Sequence, residues 1–280
     1  MTKSKLHIGK IIRCIVLVFL LFFCVLPFFM IISTSFSSEA GFAENGYTFF
    51  MKEFNTDSYM YLIKNPSQII NAYKNTIFVC VVGVSVGILL MTGYAYAISR
   101  KDNKLRGVLS FYIYFTMLFS GGMVASYIWL TRYLHLRNNI FVLILPFLMN
   151  AWNIFILRVG CSSVPFSLIE TAELEGCGEL KIFFTIIIPL AKTSIATMAL
   201  LNYWNEWQNS MLYMDDATDG TIQFYLMRIL NNISFAKQNL SGGLINEKDL
   251  PDDGMQMAIC TITVMPMLII FPFFQKYFVK

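Results

Sequence analysis

Charged residues in this chain are separated by uncharged stretches long enough to cross a lipid bilayer, and that spacing restricts its fold more than any other feature. Three runs of 25 uncharged residues (14–38, 75–99 and 107–131) lie between Arg13 and Glu39, Lys74 and Arg100, and Arg106 and Arg132. At 1.5 Å per residue, 25 residues make about 37 Å of helix, against a hydrocarbon core of about 30 Å. Residues 138–157 and 254–275 add runs of 20 and 22, and 182–205 is interrupted only by Lys192. Six transmembrane helices are predicted. Lipid offers backbone groups no water to bond with, so such spans must satisfy their own N–H and C=O groups as helices. The expected fold class is therefore an all-α integral membrane protein.

Composition narrows the choice of function. Of the 280 residues 56% are hydrophobic and 14% charged, whereas an average soluble domain has about 25% charged residues. A single soluble core could not hide that apolar surplus. The net charge of +4 is small and its cations are dispersed, which argues against a nucleic-acid partner. A cleavable signal peptide would have an apolar region of about 7–15 residues and an A-x-A site. The run 14–38 is longer and lacks that site, so it is expected to remain as a helix.

Lys and Arg orient the spans, because cytoplasmic loops retain them. Lys3, Lys5, Lys10 and Arg13 precede the first span, and Arg100, Lys101, Lys104 and Arg106 connect the second to the third. Both termini and that connection are expected in the cytoplasm. The segment 206–253 carries eight acids and three bases, which suits the outer face. Arg132 and Arg137 run against this pattern. None of the six cysteines falls in a predicted outer loop, so no disulfide is expected. Gly83-x-x-x-Gly87 and Gly93-x-x-x-Ala97 predict close helix packing in the second span, and Pro27, Pro146, Pro266 and Pro272 predict bends.

The connection 164–189 holds the most specific pattern. Ser167 and Glu170 have the spacing of a capping box, so a short helix is expected to begin near Leu168. Gly176 can end it in the left-handed conformation, and Gly178 loosens the chain before a second helix rises toward Pro189. Glu170-Thr171-Ala172, three residues, Gly176, nine residues and Ile186-Ile187-Ile188-Pro189 together resemble the EAA loop of importer-type ABC permeases, with Thr171, Ile188 and Glu175 as conservative departures. Thr92–Arg100, Phe119–Met123 and Tyr203–Trp207 are similar to carbohydrate permeases of the maltose-permease type, in the branch that imports larger saccharides. The resemblance covers roughly residues 70–280.

That resemblance implies a type I importer permease fold in the cytoplasmic membrane of a prokaryote. It also implies a non-catalytic subunit whose partners are a second homologous permease, two ATPase subunits that bind ATP and Mg2+, and an extracytoplasmic sugar-binding protein. The implied ATPase-coupling residues are Glu170, Thr171, Ala172, Leu174, Gly176, Ile186 and Pro189. The expected division is 1–70, holding the tail, first helix and outer loop, and 71–280, the five-helix core.

Sugars are held by amides, acids and aromatic faces, so Asn150, Trp152, Asn153, Asn202, Tyr203, Trp204, Asn205 and Glu206 are the substrate-path candidates. An aromatic interfacial belt and interhelical hydrogen bonding are the competing explanations for these residues. Neither a catalytic nor a metal-binding constellation is legible; His7 and His135 stand apart, and no H-E-x-x-H or phosphate-loop sequence occurs. A peptide or amino-acid cargo remains an alternative. A secondary transporter is disfavoured because no central span carries an acid for ion coupling.

Overall fold

The computed structural model describes residues 2–37, 54–64, 66–190, 201–215, 219–240 and 253–278. Among them there is no β-strand beyond an isolated bridge between Ser37 and Phe54; the architecture is helical. The chain divides into two compact bodies, residues 1–66 with 229–266 and residues 67–228 with 267–280.

In the first body, α1 (Thr2–Ser35) continues through Pro27. Its stretch Gly9–Ser35 is long and apolar enough to cross a membrane, and within its own body the helix is buried only at its end, at Ser33, Thr34 and Ser35. Phe19, Phe22 and Phe23 lie exposed there, a surface that only lipid or another protein can cover at acceptable cost. At its end, Ser35 Oγ and Tyr59 Oη of α2 (Asp57–Lys64) lie 2.8 Å apart, and Phe36 stacks on Tyr59 at 4.8 Å.

The second body is organised around α3 (Pro66–Ser99). Pro66 takes the first helical position, where its missing N–H removes no bond. Ala72, Thr76, Val79, Gly83, Gly87, Met91 and Ala95 are buried at three- and four-residue intervals, so one stripe of the helix faces protein along its whole length. Its N-terminal half carries a cluster of Val79 with Leu130, Val142, Leu143, Ile144, Tyr203, Tyr213 and Met214. Its C-terminal half carries another, in which Met91, Ala95 and Ile98 meet Ile154, Leu157, Ile169, Ala172, Ile182 and Ile187.

Two predicted spans are bent. The run 107–131 divides into α4 (Arg106–Leu118) and α5 (Gly122–Ile128), the latter continuing through a π turn at Trp129–Tyr133; the two axes differ by 109°. Phe119 is extended, Gly122 has φ +81°, and Gly122 N–H donates to Ser120 Oγ at 3.2 Å. A Ser-Gly-Gly turn carries no charge, so counting charges passes over it. The second bend, 53°, separates the 3-10 turns Ile140–Leu143 and Leu145–Phe147 from α6 (Ala151–Ser162). With each bent pair taken as one broken span, the described residues hold four candidate crossings, and Gly254–Ile270 is a shorter apolar helix within α12 (Asp253–Phe278).

The predicted fifth span is described at its ends. α7 (Phe166–Leu174) leads to α8 (Glu179–Ile182), which opens into a π turn at Phe183–Ile187 just before Pro189. Pro189 has no N–H for the Thr185 carbonyl, and a widened turn is a common accommodation. Lys192 lies outside the described residues. Beyond it come α9 (Leu201–Trp204), α10 (Gln208–Tyr213) and α11 (Ile222–Leu240).

Candidate functional site

The elbow between α6 and α8 is shaped by its two ends. α7 begins at Phe166 after Pro165, and no side chain caps its N-terminus. The expected capping box at Ser167 and Glu170 is therefore not formed: Pro165 ends the extended entry two residues early, and Ser167 falls inside the first turn. At the other end Gly176 has φ +79°, Gly176 N–H donates to Glu173 O at 2.9 Å, and Cys177 N–H donates to Ala172 O at 2.9 Å. These paired bonds form a Schellman motif, which satisfies carbonyls that the helix end leaves open.

The faces of α7 are sharply different. Ile169 and Ala172 are buried against Leu157, Cys161 and Ile182. Glu170 and Thr171 are exposed, as are Phe166 and Leu168, and Leu174 is 90% exposed. Gly176 and Pro189 are also exposed, and Ile186 is half-buried beneath. One side of the short helix is thus fastened to the helical core while the other presents apolar side chains outward.

Arg100, one residue beyond α3, fastens this elbow. Its Nη2 lies 2.6 Å from Asp102 Oδ2, 2.5 Å from Glu173 Oε1 and 3.2 Å from Glu179 Oε1. Tyr96 Oη donates to the other Glu179 oxygen at 2.7 Å. Desolvation pulls the Arg100 pKa down, but hydrogen bonds to Asp102 and Glu173 more than reverse it, leaving the guanidinium above its ordinary range. The same contact holds the Asp102 carboxyl below the usual carboxylate range. In the sequence Arg100 shows only as one of the cations that orient the second and third spans. Its partners Glu173 and Glu179 are 73 and 79 positions away, and nothing local announces them.

The substrate-path candidates fall into three places. At the bend before α6, Asn150 Oδ1 accepts Asn153 N–H at 3.1 Å and caps the helix. Trp152 is exposed, whereas Asn153 is 5% exposed and its Nδ2 finds no hydrogen-bond partner among the described residues. At α9, Tyr203 is 3% exposed, its ring edge-on to Phe147 at 5.7 Å and its hydroxyl 3.4 Å from Ile144 O. It packs over Gly83 and Gly87, where a Cβ on Gly83 would stand 2.5 Å from Tyr203 Cζ. Gly93, by contrast, has open space. Trp204 is buried with Nε1 unpartnered among the described residues. The Asn202 side chain lies outside the described residues.

The third place is a buried polar knot at the start of the connection 206–253. Glu206 is 3% exposed and accepts Asn209 N–H at 2.5 Å and Ser210 Oγ at 2.9 Å. Burial pushes its carboxyl up from the ordinary value, and these two hydrogen bonds offset part of that. Thr221 Oγ1 donates to Glu206 O, and Thr221 caps α11 by accepting Phe224 N–H at 3.3 Å. Thr76 Oγ1 of α3 accepts Ile222 N–H at 2.8 Å. Asn205 is exposed and accepts from Gln223 Nε2 at 3.4 Å. Ser210, Thr221 and Thr76 were not legible as a group, because hydroxyls spread over three elements leave no sequence pattern. Asp215 of the same connection pairs with Arg137, between the Trp129–Tyr133 turn and Ile140–Leu143, at 2.8 Å.

Comparison with known proteins places this geometry among transport permeases. The family described as binding-protein-dependent transport system inner membrane component matches residues 83–280. The polygalacturonan/rhamnogalacturonan transport system permease protein YtcP of Bacillus subtilis (strain 168) is 34% identical over 268 residues, covering 94% of this chain and 93% of the relative. Protein LplC of the same organism is 32% identical, over 91% of this chain and 86% of its own length. A chain in the crystal structure of a bacterial ABC transporter involved in the import of the acidic polysaccharide alginate superposes with a TM-score of 0.81. It is 28% identical, with 99% of each chain covered. Matched over residues 83–280, well over half of its length, this chain belongs to the binding-protein-dependent transport system inner membrane component family.

Proposed function

We propose that this chain is the membrane-spanning subunit of an ATP-driven importer that carries an oligosaccharide across the cytoplasmic membrane. The observation that carries this reading is the elbow. Its helix is anchored by Ile169, Ala172 and the Gly176 turn, and it presents Phe166, Leu168 and Leu174 outward. The relatives transport polygalacturonan, rhamnogalacturonan and alginate according to their descriptions, which favours a saccharide over a peptide or amino acid.

The partners proposed are a second homologous permease, two ATPase subunits holding ATP and Mg2+, and an extracytoplasmic sugar-binding protein. Both termini are assigned to the cytoplasm, the five-helix core to 71–280, and this chain itself is assigned no catalysis. Glu170, Thr171, Leu174 and Gly176 are the coupling residues, supported from beneath by Ala172, Ile186 and Pro189. ATP would close the ATPase pair, and a ligand shifts such an equilibrium only through unequal affinity for its two states. Of the substrate-path candidates, Asn153 and Trp204 are the strongest, because buried donors without acceptors cost roughly 1–3 kcal/mol each and a sugar hydroxyl in an opened path would relieve that cost.

The experiment is to tag the chain, extract it in mild detergent from its host, and identify its stoichiometric companions by mass spectrometry. A second permease and an ATPase are expected; recovery as a lone protein or homo-oligomer would overturn the reading. Import into vesicles would then be screened with uronate oligosaccharides first. Asn153→Leu should reduce import severalfold while the complex still assembles, and equal loss of both would assign Asn153 to packing.

A further inference from the structure

We propose that Arg100 is the positioning residue that ties the elbow to α3, so that displacement of the elbow is passed to the long helix rather than absorbed between them. The proposal rests on the importer reading above and adds a residue outside the EAA pattern to its machinery.

Three observations carry it. The guanidinium is 7% exposed and stands where α3, the connection after it, α7 and the start of α8 converge, with a carboxylate from each of the last three within 3.2 Å. It also lies 5.9 Å from the Tyr96 ring centre and 5.7 Å from that of Phe166, so aromatic faces cover it from α3 and from α7. Finally, Nη2 has two hydrogens for three carboxylates, whereas Nη1 is buried without a partner among the described residues. With three carboxylates converging on one cation, the elbow stays fastened to the end of α3 even when one contact is lost.

The chain favours a firm grip here. The last carbonyls of α3 are closed by Ser99 Oγ on Tyr96 O at 2.7 Å and Asn103 Nδ2 on Ala97 O at 2.8 Å, and a cation at a helix C-terminus is favoured by the helix dipole. Removing one member of a buried charge pair costs far more than the pair contributes, because the other is left uncompensated. Loss of Glu173 or Glu179 alone leaves Arg100 paired with Asp102 and the other glutamate.

Two measurements test the proposal. On the full chain in lipid nanodiscs, hydrogen exchange of the backbone across 166–178 should be about tenfold faster in Arg100→Gln and in Glu173→Gln than in the wild type, the factor carried by one charged hydrogen bond. This needs no ATPase, and unchanged exchange in both variants would overturn the proposal whatever becomes of the importer reading. In the reconstituted complex, ATP hydrolysed per saccharide imported should rise severalfold in both variants, with Arg100→Lys partly restoring the wild-type ratio. A fall in hydrolysis and import together, at constant ratio, would overturn it by reducing Arg100 to a structural role. Glu173→Gln serves where Arg100→Gln does not fold.

Discussion

Adding one methyl group at Gly83 is expected to destabilise this protein although it lies in a helix, where alanine is intrinsically preferred. A Cβ there would stand 2.5 Å from Tyr203 Cζ and 2.9 Å from Cδ1, well inside the roughly 3.5–4.0 Å optimum between carbons. The ring has no open side, being 3% exposed and edge-on to Phe147. Turning it loses an aromatic pair worth about 0.5–1.5 kcal/mol and a hydrogen bond worth about 0.5–1.5 kcal/mol. The sum, about 1–3 kcal/mol, equals the usual cost of overpacking a core. Helix propensity returns up to about 1 kcal/mol, so Gly93→Ala, in open space on the same helix, is the reference that cancels it. Thermal unfolding of the two purified variants in mild detergent should place Gly83→Ala about 1–3 kcal/mol below Gly93→Ala. That gap should shrink in a Tyr203→Leu background, since contacting residues are not additive. Equal stability of the two alanine variants would refute the close approach.

Other outcomes follow from the elbow and the polar knot. Gly176→Ala meets no atom within 4 Å but must hold φ +79°, so it should cost roughly 1–2 kcal/mol in thermal unfolding. Gly178→Ala, without positive φ, should be neutral, and a matching loss there would refute the assignment. Glu206 has its pKa raised by burial, so the folded state binds the proton more tightly than the unfolded chain. That stabilisation is complete below the ordinary carboxylate pKa of about 4.3 and is lost as pH rises through the folded value. Wild-type stability relative to Glu206→Gln should therefore be greater near pH 4 than near pH 7.5, and a difference independent of pH would show the carboxyl to be solvated.

Much of this was legible in the chain because lipid demands so much of a sequence. The uncharged runs located the helical segments, and Gly176 announced the end of α7 because few other residues adopt its conformation without strain. What escaped was of two kinds. Turns made of neutral residues, such as Phe119 to Gly122, interrupt a helix without interrupting its hydropathy, so the uncharged run 107–131 carries no sign of its 109° bend. Contacts between distant segments leave no spacing to find: Arg100 with Glu173 and Glu179, or Thr76 with Ile222. Tyr203 shows the limit in between, since an aromatic near a span end suits an interfacial belt, a sugar surface or a packed core equally, and only the glycines opposite select the core in this structure.

The buried stripe of α3 has a further consequence for what changes this chain can tolerate. A helix of 34 residues runs about 51 Å and serves one hydrophobic cluster at each end, so both depend on a single angular phase. Each residue inserted into or deleted from the stretch between Gly87 and Met91 would turn one cluster by about 100° relative to the other, directing lipid-facing side chains into one of them. Substitutions along this shaft are local events, but a change of length is not: only insertions close to whole turns would keep both ends aligned.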